Sequence, residues 1–540
     1  MGAVSKVGSS ATTQRAHALA QLDTQEWDLV VIGGGITGAG VAQQAARRGW
    51  KVLLVEQRDF AWGTSSRSSK RVHGGLRYLK EGDLKTTLHS VRERQRLMQE
   101  APELVEPQSF LFADCVGRKP GRWLFQLGLN LYDLMAGHRS HFYASLKDTQ
   151  TLAPGLNPPQ LRGALVFTDA KTDDARLVWR VLMQAQRDGA VALNYVAAKA
   201  LTLDAMRTGR VNGLVLEDAI TAQQYTVRAK AVVNATGAWA DQLRAGLGAK
   251  PLLRPLRGSH LVVPFWRLPV AQSISMMHPR DGRPVFLYPW EGATLIGTTD
   301  LDHTGDLHTE ACITQAEVDY LLEAVNDQFP AAVLTSADVS ATYAGVRPVV
   351  DDGKGDASKA TRDHVVLDES GLITLTGGKL TTFRLMAQDA LALAAPHAGK
   401  PFARDDAAIF TPAPALNPHW SAATRHRLAA RYGDQAEVLA ADASDADLQT
   451  IPGTNTLWLE LAIAAQSEAV VHLDDLLLRR TRLGLLLPRG GLDHLERIRA
   501  LCAAHLPWDA DQWLAELTRY RALIAAHYAL PQSHTPQGSA

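Results

Sequence analysis

The stretch Gly63 to Lys80, GTSSRSSKRVHGGLRYLK, gathers the hydroxyls of Thr64, Ser65, Ser66, Ser68 and Ser69, the cations Arg67, Lys70, Arg71, Arg77 and Lys80, and a Gly74-Gly75 pair. Hydroxyls and main-chain amides suit a pyrophosphate or the polar edge of a flat ring, and paired glycines let backbone approach such a ring closely. Lys70 adds a charge to that set, and Arg77 and Tyr78 reach toward a substrate anion. Composition alone is satisfied by a solvated basic loop. The position of the stretch argues for more.

Directly upstream, WDLVVIGGGITGAGVAQQAARRGWKVLLVEQ opens with an apolar run, Leu29 to Ile32, that suits a strand buried on both faces of a parallel sheet. It runs into a GxGxxG, Gly33 to Gly38, then a helical pattern to Arg48 closed by Gly49, then a second strand, Val52 to Val55, ending in Glu56. Gly33 permits the tight turn, Gly35 lets a pyrophosphate approach, and Gly38 lets helix and strand pack; Glu56 stands where a ribose hydroxyl is bound. The pattern does not separate NAD from FAD. Two later segments repeat the strand–glycine–helix theme: a strand at Ala231 to Asn234 before Ala235-Thr236-Gly237, and one at Ile373 to Thr376 before Gly377-Gly378. Lys379 opens the second helix, where a cation opposes the helix dipole and holding an anion would account for it.

The elements that must position these residues are those of a large chain of ordinary globular composition: 540 residues, 46% hydrophobic, 21% charged, formal net charge +0. Zero net charge supplies no general attraction for nucleic acid. Cys115, Cys312 and Cys502 lie far apart, form no metal spacing, and read as unbridged thiols in a reducing compartment. No apolar run has the length of a transmembrane helix. Residues 1–26 are polar and read as a disordered extension, as does the tail 531–540.

The segments VIGGGITGAGVA, TSSRSSKRVHGGLRYL, TDDARLV, VVNATGAWADQL, RGSHLVVP, LIGTTD, YAGVRPVV, TRDHVV and TGGKLTTFR occur in this order. In that order they resemble the FAD-dependent, quinone-linked (aerobic) glycerol-3-phosphate dehydrogenases, from about Trp27 to about Ala395. The C-terminal part is similar to the family's helical domain in length and helix pattern. The resemblance implies an α/β fold in which an FAD-binding Rossmann-like domain is interleaved with an antiparallel-sheet substrate (cap) domain, followed by an all-helical domain. The FAD-binding part falls mainly at 27–80, 150–250 and 340–400, the substrate part mainly at 81–149 and 251–339, and the helical domain at 401–530.

It also implies non-covalent FAD, contacted by Gly33, Gly35, Ile36, Thr37, Gly38, Glu56, Thr64, Ser65, Ser66, Ser69, Lys70, His73, Gly74, Gly75, Ala235, Thr236, Gly237, Gly378, Lys379, Leu380 and Thr381. Arg77, Tyr78 and Arg362 become phosphate contacts. His260 and Arg347 fall near the reacting hydroxyl, His260 as general base and Arg347 or Lys379 stabilising developing alkoxide charge. The implied activity is oxidation of glycerol 3-phosphate to dihydroxyacetone phosphate with electrons passed to a quinone. The implied partners are that substrate, a membrane quinone, the inner face of the cytoplasmic membrane and a second copy of the chain. Arg67 departs from the pattern, where a small residue is expected, and reads as solvent-directed or as an altered phosphate environment.

Several segments read as structural. Asp173-Asp174 suits a helix N-cap, Thr298 and Thr299 strand-end hydroxyls, Asp300 a cap, Pro289 to Gly292 a hairpin turn, and Asp351 to Asp363 an exposed loop. Leu84, Leu88, Val91 and Met98 form one helical stripe, and Val318, Leu321, Leu322, Val325 and Phe329 another. Membrane contact without a span points to GRKPGRWLFQLGLNLYDLMAGHR, where Arg118, Lys119 and Arg122 adjoin Trp123, Leu124, Phe125 and Leu127; a buried helix behind a charged loop explains the same residues. Competing functions are a glycerol-3-phosphate oxidase using oxygen, a related FAD-dependent amine or amino-acid oxidase, and a non-catalytic flavoprotein redox sensor.

Overall fold

Leu29, Val30 and Val31 are fully buried, as a strand covered on both faces must be. Their strand, Glu26–Ile32, lies at the centre of the first of two sheets in this computed structural model, which describes residues 11–76, 79, 82–117, 121–204, 209–351 and 364–531. The first sheet runs His364–Glu369, Leu372–Gly377, Gln224–Asn234, Glu26–Ile32, Val52–Val55, Val191–Leu193, with the hairpin Val196–Asp204/Arg210–Asp218 beside Gln224–Asn234. Its four central pairings are parallel. One face is covered by helices Ile36–Ala46, Asp174–Arg187 and Phe383–Ala398. A side chain at Gly40 would stand 2.7 Å from the Phe383 ring, so the glycine sets how closely two of those helices pack.

The second sheet has ten strands, in the order Leu301–Asp302, Leu253–Pro264, Ala293–Gly297, Pro284–Trp290, Ser273–Met277, Val105–Cys115, Leu161–Thr172, Arg71–Val72, with Ala341–Val350 beside Leu253–Pro264 and Phe142–Ser145 beside Leu161–Thr172. Alternation along the strands divides its residues between two faces. Leu111, Leu261, Val263, Ile274, Leu287 and Ile296 face helix Gln315–Gln328, whose Val318, Leu321, Leu322, Val325 and following Phe329 are buried as their spacing predicts. Val262, Tyr288, Trp290, Leu295 and Tyr343 face the opposite way, into the helices beyond Trp458. The hairpin turn is Glu291-Gly292, both at positive φ (50° and 86°), the two-residue geometry that matches strand twist.

The structure corrects three expectations of organisation. Residues 11–19 of the N-terminal extension form a helix, Ala11–Leu19, and Arg15 pairs with Asp218 at 2.6 Å. Leu161–Thr172 and Ala341–Val350, assigned to the cofactor part, pair into the second sheet instead, because their partners Val105–Cys115 and Leu253–Pro264 carry the matching buried alternation. Leu84 is exposed; the buried side of helix Leu84–Glu100 runs through Val91, Arg94 and Leu97. The tail beyond 531 and the loop 352–363 lie outside the described residues.

Behind the Gly63–Lys80 stretch the C-terminal helices deliver arginines onto buried carboxylates. Asp59 accepts from Arg480 at 2.7 and 2.8 Å and from Arg479 at 2.5 Å. Burial pushes its carboxyl upward, but the two guanidiniums prevail and hold it at about 2. Asp173 caps helix Asp174–Arg187 as expected and also binds Arg482. Asp174 binds Lys70 and Arg482 and accepts from Ser68 N–H and Oγ. The pair is structural, in a larger way than a cap. Truncating one member of such a cluster strands the others, so Asp59→Ala is expected to cost about 3–5 kcal/mol. Denaturant midpoints should show this, with Asp59→Asn milder because it keeps the shape and part of the hydrogen bonding.

Candidate active site

The GxGxxG turn has the backbone its glycines require. Gly33 sits at φ +112°, and a Cβ there would stand 2.5 Å from the Ala235 carbonyl; one on Gly38 would stand 1.9 Å from the Gly33 carbonyl. Gly35 precedes helix Ile36–Ala46 without a side-chain cap, while Ile36 N–H donates to Ser65 Oγ at 3.0 Å. Glu56 accepts from Gly34 N–H at 2.7 Å and Arg58 N–H at 2.9 Å, so the carboxylate braces the turn and keeps lone pairs for a ribose. A bare-backbone helix N-terminus at the carboxyl end of a parallel strand, with an acid closing the next strand, fits a dinucleotide.

Three remote segments meet beside this turn. Ala235 N–H donates to Ile32 O, and Gly237, at φ +60°, accepts from Thr376 Oγ1. Gly378, at φ +70°, leads to Lys379, which precedes the turn Leu380–Thr382 and donates to Ser90 Oγ at 2.9 Å. Thr381 Oγ1 donates to the His73 carbonyl at 3.2 Å, and Gly74 N–H donates to Asp169. A Cβ on Gly74 would lie 2.2 Å from the Tyr132 hydroxyl, so only glycine fits. The Thr381 bond brings the segments His73-Gly74-Gly75 and Lys379-Leu380-Thr381 together.

Other cofactor candidates have different partners. Thr64 Oγ1 donates to the Val346 carbonyl, binding the loop to the second sheet. Lys70 is buried at 0%, its ammonium 2.9 Å from both oxygens of Asp174 and 2.6 Å from the Ser66 carbonyl. It is a strut within the protein and not a cofactor contact, because Asp174 and burial consume it. Burial, together with nearby Arg482, outweighs Asp174 and lowers its ammonium to about 7. The Ser66 carbonyl also takes a bond from Arg482. Arg67 does not point to solvent: it pairs with Glu310 at 2.9 Å and Tyr528 at 3.1 Å and lies over the Trp62 ring.

His260 and Arg347 share the face of the second sheet that carries Tyr343. His260 is paired with Gly297 on one side and Tyr343 on the other. Its ring stacks on Tyr343 at 4.6 Å and fills the space a Gly297 side chain would take. Nε2 lies 2.9 Å from Ser69 Oγ, Nδ1 is buried without a partner among the described residues, and the residue is 1% exposed. Ser69 is therefore the hydrogen-bond partner of His260 among the described residues. Arg347, its side chain 28% exposed, donates to Asp300 at 2.9 Å and Thr298 at 3.1 Å above Gly258, where a Cβ would stand 2.4 Å from Nη2. Thr298 and Asp300 are therefore more than strand-end polar groups: they hold the arginine. The run GTTD directly after a strand was the available signal. Arg77, Tyr78 and Arg362 lie outside the described residues.

Burial, with Arg347 and Lys70 nearby, drives the His260 imidazole well below its ordinary value. The folded protein then holds it neutral while the unfolded chain takes a proton below about pH 6.5. No penalty exists above that pH. Stability falls by about 1.4 kcal/mol per unit as pH drops from there toward the depressed native value. Urea titrations of His260→Gln are expected to show a flatter acid limb than wild type in that window.

The sequence model for FAD dependent oxidoreductases matches residues 28–384, and that for the C-terminal domain of alpha-glycerophosphate oxidase matches 373–513. An aerobic glycerol-3-phosphate dehydrogenase of Staphylococcus aureus is 34% identical over 499 residues, covering 87% of this chain and 89% of that one. The chain belongs to the FAD-dependent glycerol-3-phosphate dehydrogenase family. The crystal structure of glycerol-3-phosphate dehydrogenase from Bacillus halodurans complexed with FAD superposes with a TM-score of 0.75 at 29% identity, over 96% of this chain and 97% of that one. L-alpha-glycerophosphate oxidase from Mycoplasma pneumoniae, with FAD bound, shares the fold at TM-score 0.56 and 19% identity, over 68% of this chain and 95% of that one.

Proposed function

We propose that this member of the family oxidises sn-glycerol 3-phosphate to dihydroxyacetone phosphate and passes the electrons to a membrane quinone. The relationship over nearly the whole chain carries the substrate; His260 beside Ser69, with Arg347 on the same sheet face and close enough to act on the imidazole, supports the chemistry. Bound FAD supplies the hydride acceptor. The protein's own work is positional. Ser69 relays the hydroxyl proton, accepting it at Oγ as its own hydrogen passes to Nε2 of neutral His260, which becomes the imidazolium. Arg347, held by Asp300 and Thr298, faces developing alkoxide charge. Lys379 adds a second cation, and Arg77, Tyr78 and Arg362 anchor the phosphate. Anaerobic addition of glycerol 3-phosphate should bleach the flavin absorbance; an unchanged spectrum would sink the reading. Reoxidation by a soluble quinone much faster than by oxygen is the expected acceptor result, and equal or faster reoxidation by oxygen would favour the oxidase alternative.

Among the described residues no helix is long and apolar enough to cross a membrane. Helix Arg122–Ala136 instead exposes Trp123 (75%), Leu124 (65%), Leu127 (66%) and Leu134 (77%) on one stripe. An unpartnered apolar stripe with Arg122 at its start suits the headgroup boundary of a bilayer, and supports peripheral attachment. Leu127→Glu is expected to abolish co-sedimentation with anionic vesicles and to leave dye-linked turnover unchanged. Retained sedimentation would move the contact elsewhere. A homodimer completes the proposed assembly, to be read by ultracentrifugation.

A further inference from the structure

Arg71 has no place in the chemistry above. Its strand, Arg71–Val72, pairs with Leu161–Thr172 at the edge of the second sheet, and its guanidinium lies 4.5 Å from the Phe110 ring centre and 4.3 Å from that of Phe286. The register places Phe286 directly across from Gly297, and Gly297 across from His260. Arg71 therefore lies on the sheet face that carries His260 and Arg347, and two residues beyond Ser69 in the chain.

This guanidinium lacks a hydrogen bond or ion pair to any described residue, and its Nε is buried. The nearby carboxylate, Asp169, is engaged by Arg94, the Tyr132 hydroxyl and Gly74 N–H. Arg347 has Asp300, Lys379 has Ser90 and Lys70 has Asp174; Arg71 has two rings. A second polar group on the same face is also unmatched. Ser273, fully buried and in register with Phe110, has no partner for its hydroxyl among the described residues. Burial pushes the Arg71 guanidinium below its ordinary value, against the pull of Asp169, Tyr288 and Tyr132. An arginine remains charged in a protein. Two rings centred within 4.5 Å of the guanidinium carbon offer it cation–π contact but no acceptor, so its N–H donors are available to an anion.

We propose that Arg71 is an anion anchor of the cleft, its N–H fork binding the phosphomonoester of the substrate, with Ser273 contributing a hydroxyl. This rests on the substrate reading above and adds a residue to it. The anion supplies the hydrogen bonds that Phe110 and Phe286, close to the guanidinium, do not.

The test uses FAD-loaded enzyme and two readouts. Inorganic phosphate is titrated calorimetrically and by its perturbation of the oxidised flavin spectrum; KM for glycerol 3-phosphate and Ki for phosphate are measured by dye-linked turnover. Arg71→Met is expected to raise the phosphate Kd, Ki and the KM at least tenfold with flavin content unchanged. Arg71→Lys, which keeps charge and loses the fork, should raise them at least threefold and covers the case in which the methionine variant does not fold. Wild-type values in either folded variant overturn the inference and leave the substrate reading standing. Should wild type fail to oxidise glycerol 3-phosphate yet bind phosphate in an Arg71-dependent way, the anchor stands and the substrate reading falls.

Discussion

Replacing Arg347 with alanine is expected to lower kcat for glycerol 3-phosphate by about two orders of magnitude while FAD content stays at the wild-type level. A preorganised cation facing charge that develops at the reacting oxygen is worth about 3 kcal/mol in the barrier. The preorganisation is visible: Asp300 and Thr298 hold the guanidinium above Gly258. Gly258→Ala offers a companion test, because its added methyl would stand 2.4 Å from Nη2 and push the guanidinium aside. It should lower kcat in the same direction with Arg347 chemically intact. Turnover with an artificial acceptor and the ratio of flavin to protein absorbance separate the outcomes. Loss of flavin from Arg347→Ala would show that the residue serves the cofactor.

Free glycerol is expected to be at least about a hundredfold worse than glycerol 3-phosphate in kcat/KM. That ratio requires about 2.7 kcal/mol. One charge-assisted hydrogen bond contributes about 1.5–3 kcal/mol, so two of the phosphate contacts proposed for Arg77, Tyr78 and Arg362 exceed it after a discount for geometry. Binding energy remote from the reacting carbon also orients it, so kcat should fall along with affinity when the phosphate is removed. Arg77→Ala should narrow the preference. Similar kcat/KM for both substrates would remove the phosphate from the account of the cationic stretch.

What was legible in the sequence was local. The GxGxxG turn, the Asp173 cap, the Glu291-Gly292 hairpin and the buried side of Gln315–Gln328 each follow from residues within a few positions of one another. What was not legible depends on partners hundreds of residues away. Lys70 looks like a cofactor contact until Asp174 is seen beneath it, and Arg67 looks solvent-directed until Glu310 and Tyr528 close on it. Strand Ala341–Val350 ends in the second sheet because Leu253–Pro264 offers ten matched positions there, which periodicity alone does not reveal. The N-terminal helix is anchored by Arg15 on Asp218, 203 positions away, in a segment whose composition reads as unstructured. The residue types pointed to His260, but only the folded chain brings Ser69, 191 positions away, to its Nε2.

The contacts of Arg482 and Tyr528 with the loop at 66–67 set an order of events during synthesis. They join residues 416 and 461 positions apart. A ribosome adding about 5–20 residues per second needs on the order of a minute to cover that distance. For that interval the carboxylates of Asp59, Asp173 and Asp174 lack their C-terminal arginines, and the serine-rich loop lacks its backing. The cofactor pocket therefore matures last, after release of nearly the whole chain. A message interrupted between Lys379 and the Arg479–Arg482 cluster yields a product that contains the nucleotide fingerprint and every proposed catalytic residue, yet lacks the rear wall that backs the serine-rich loop.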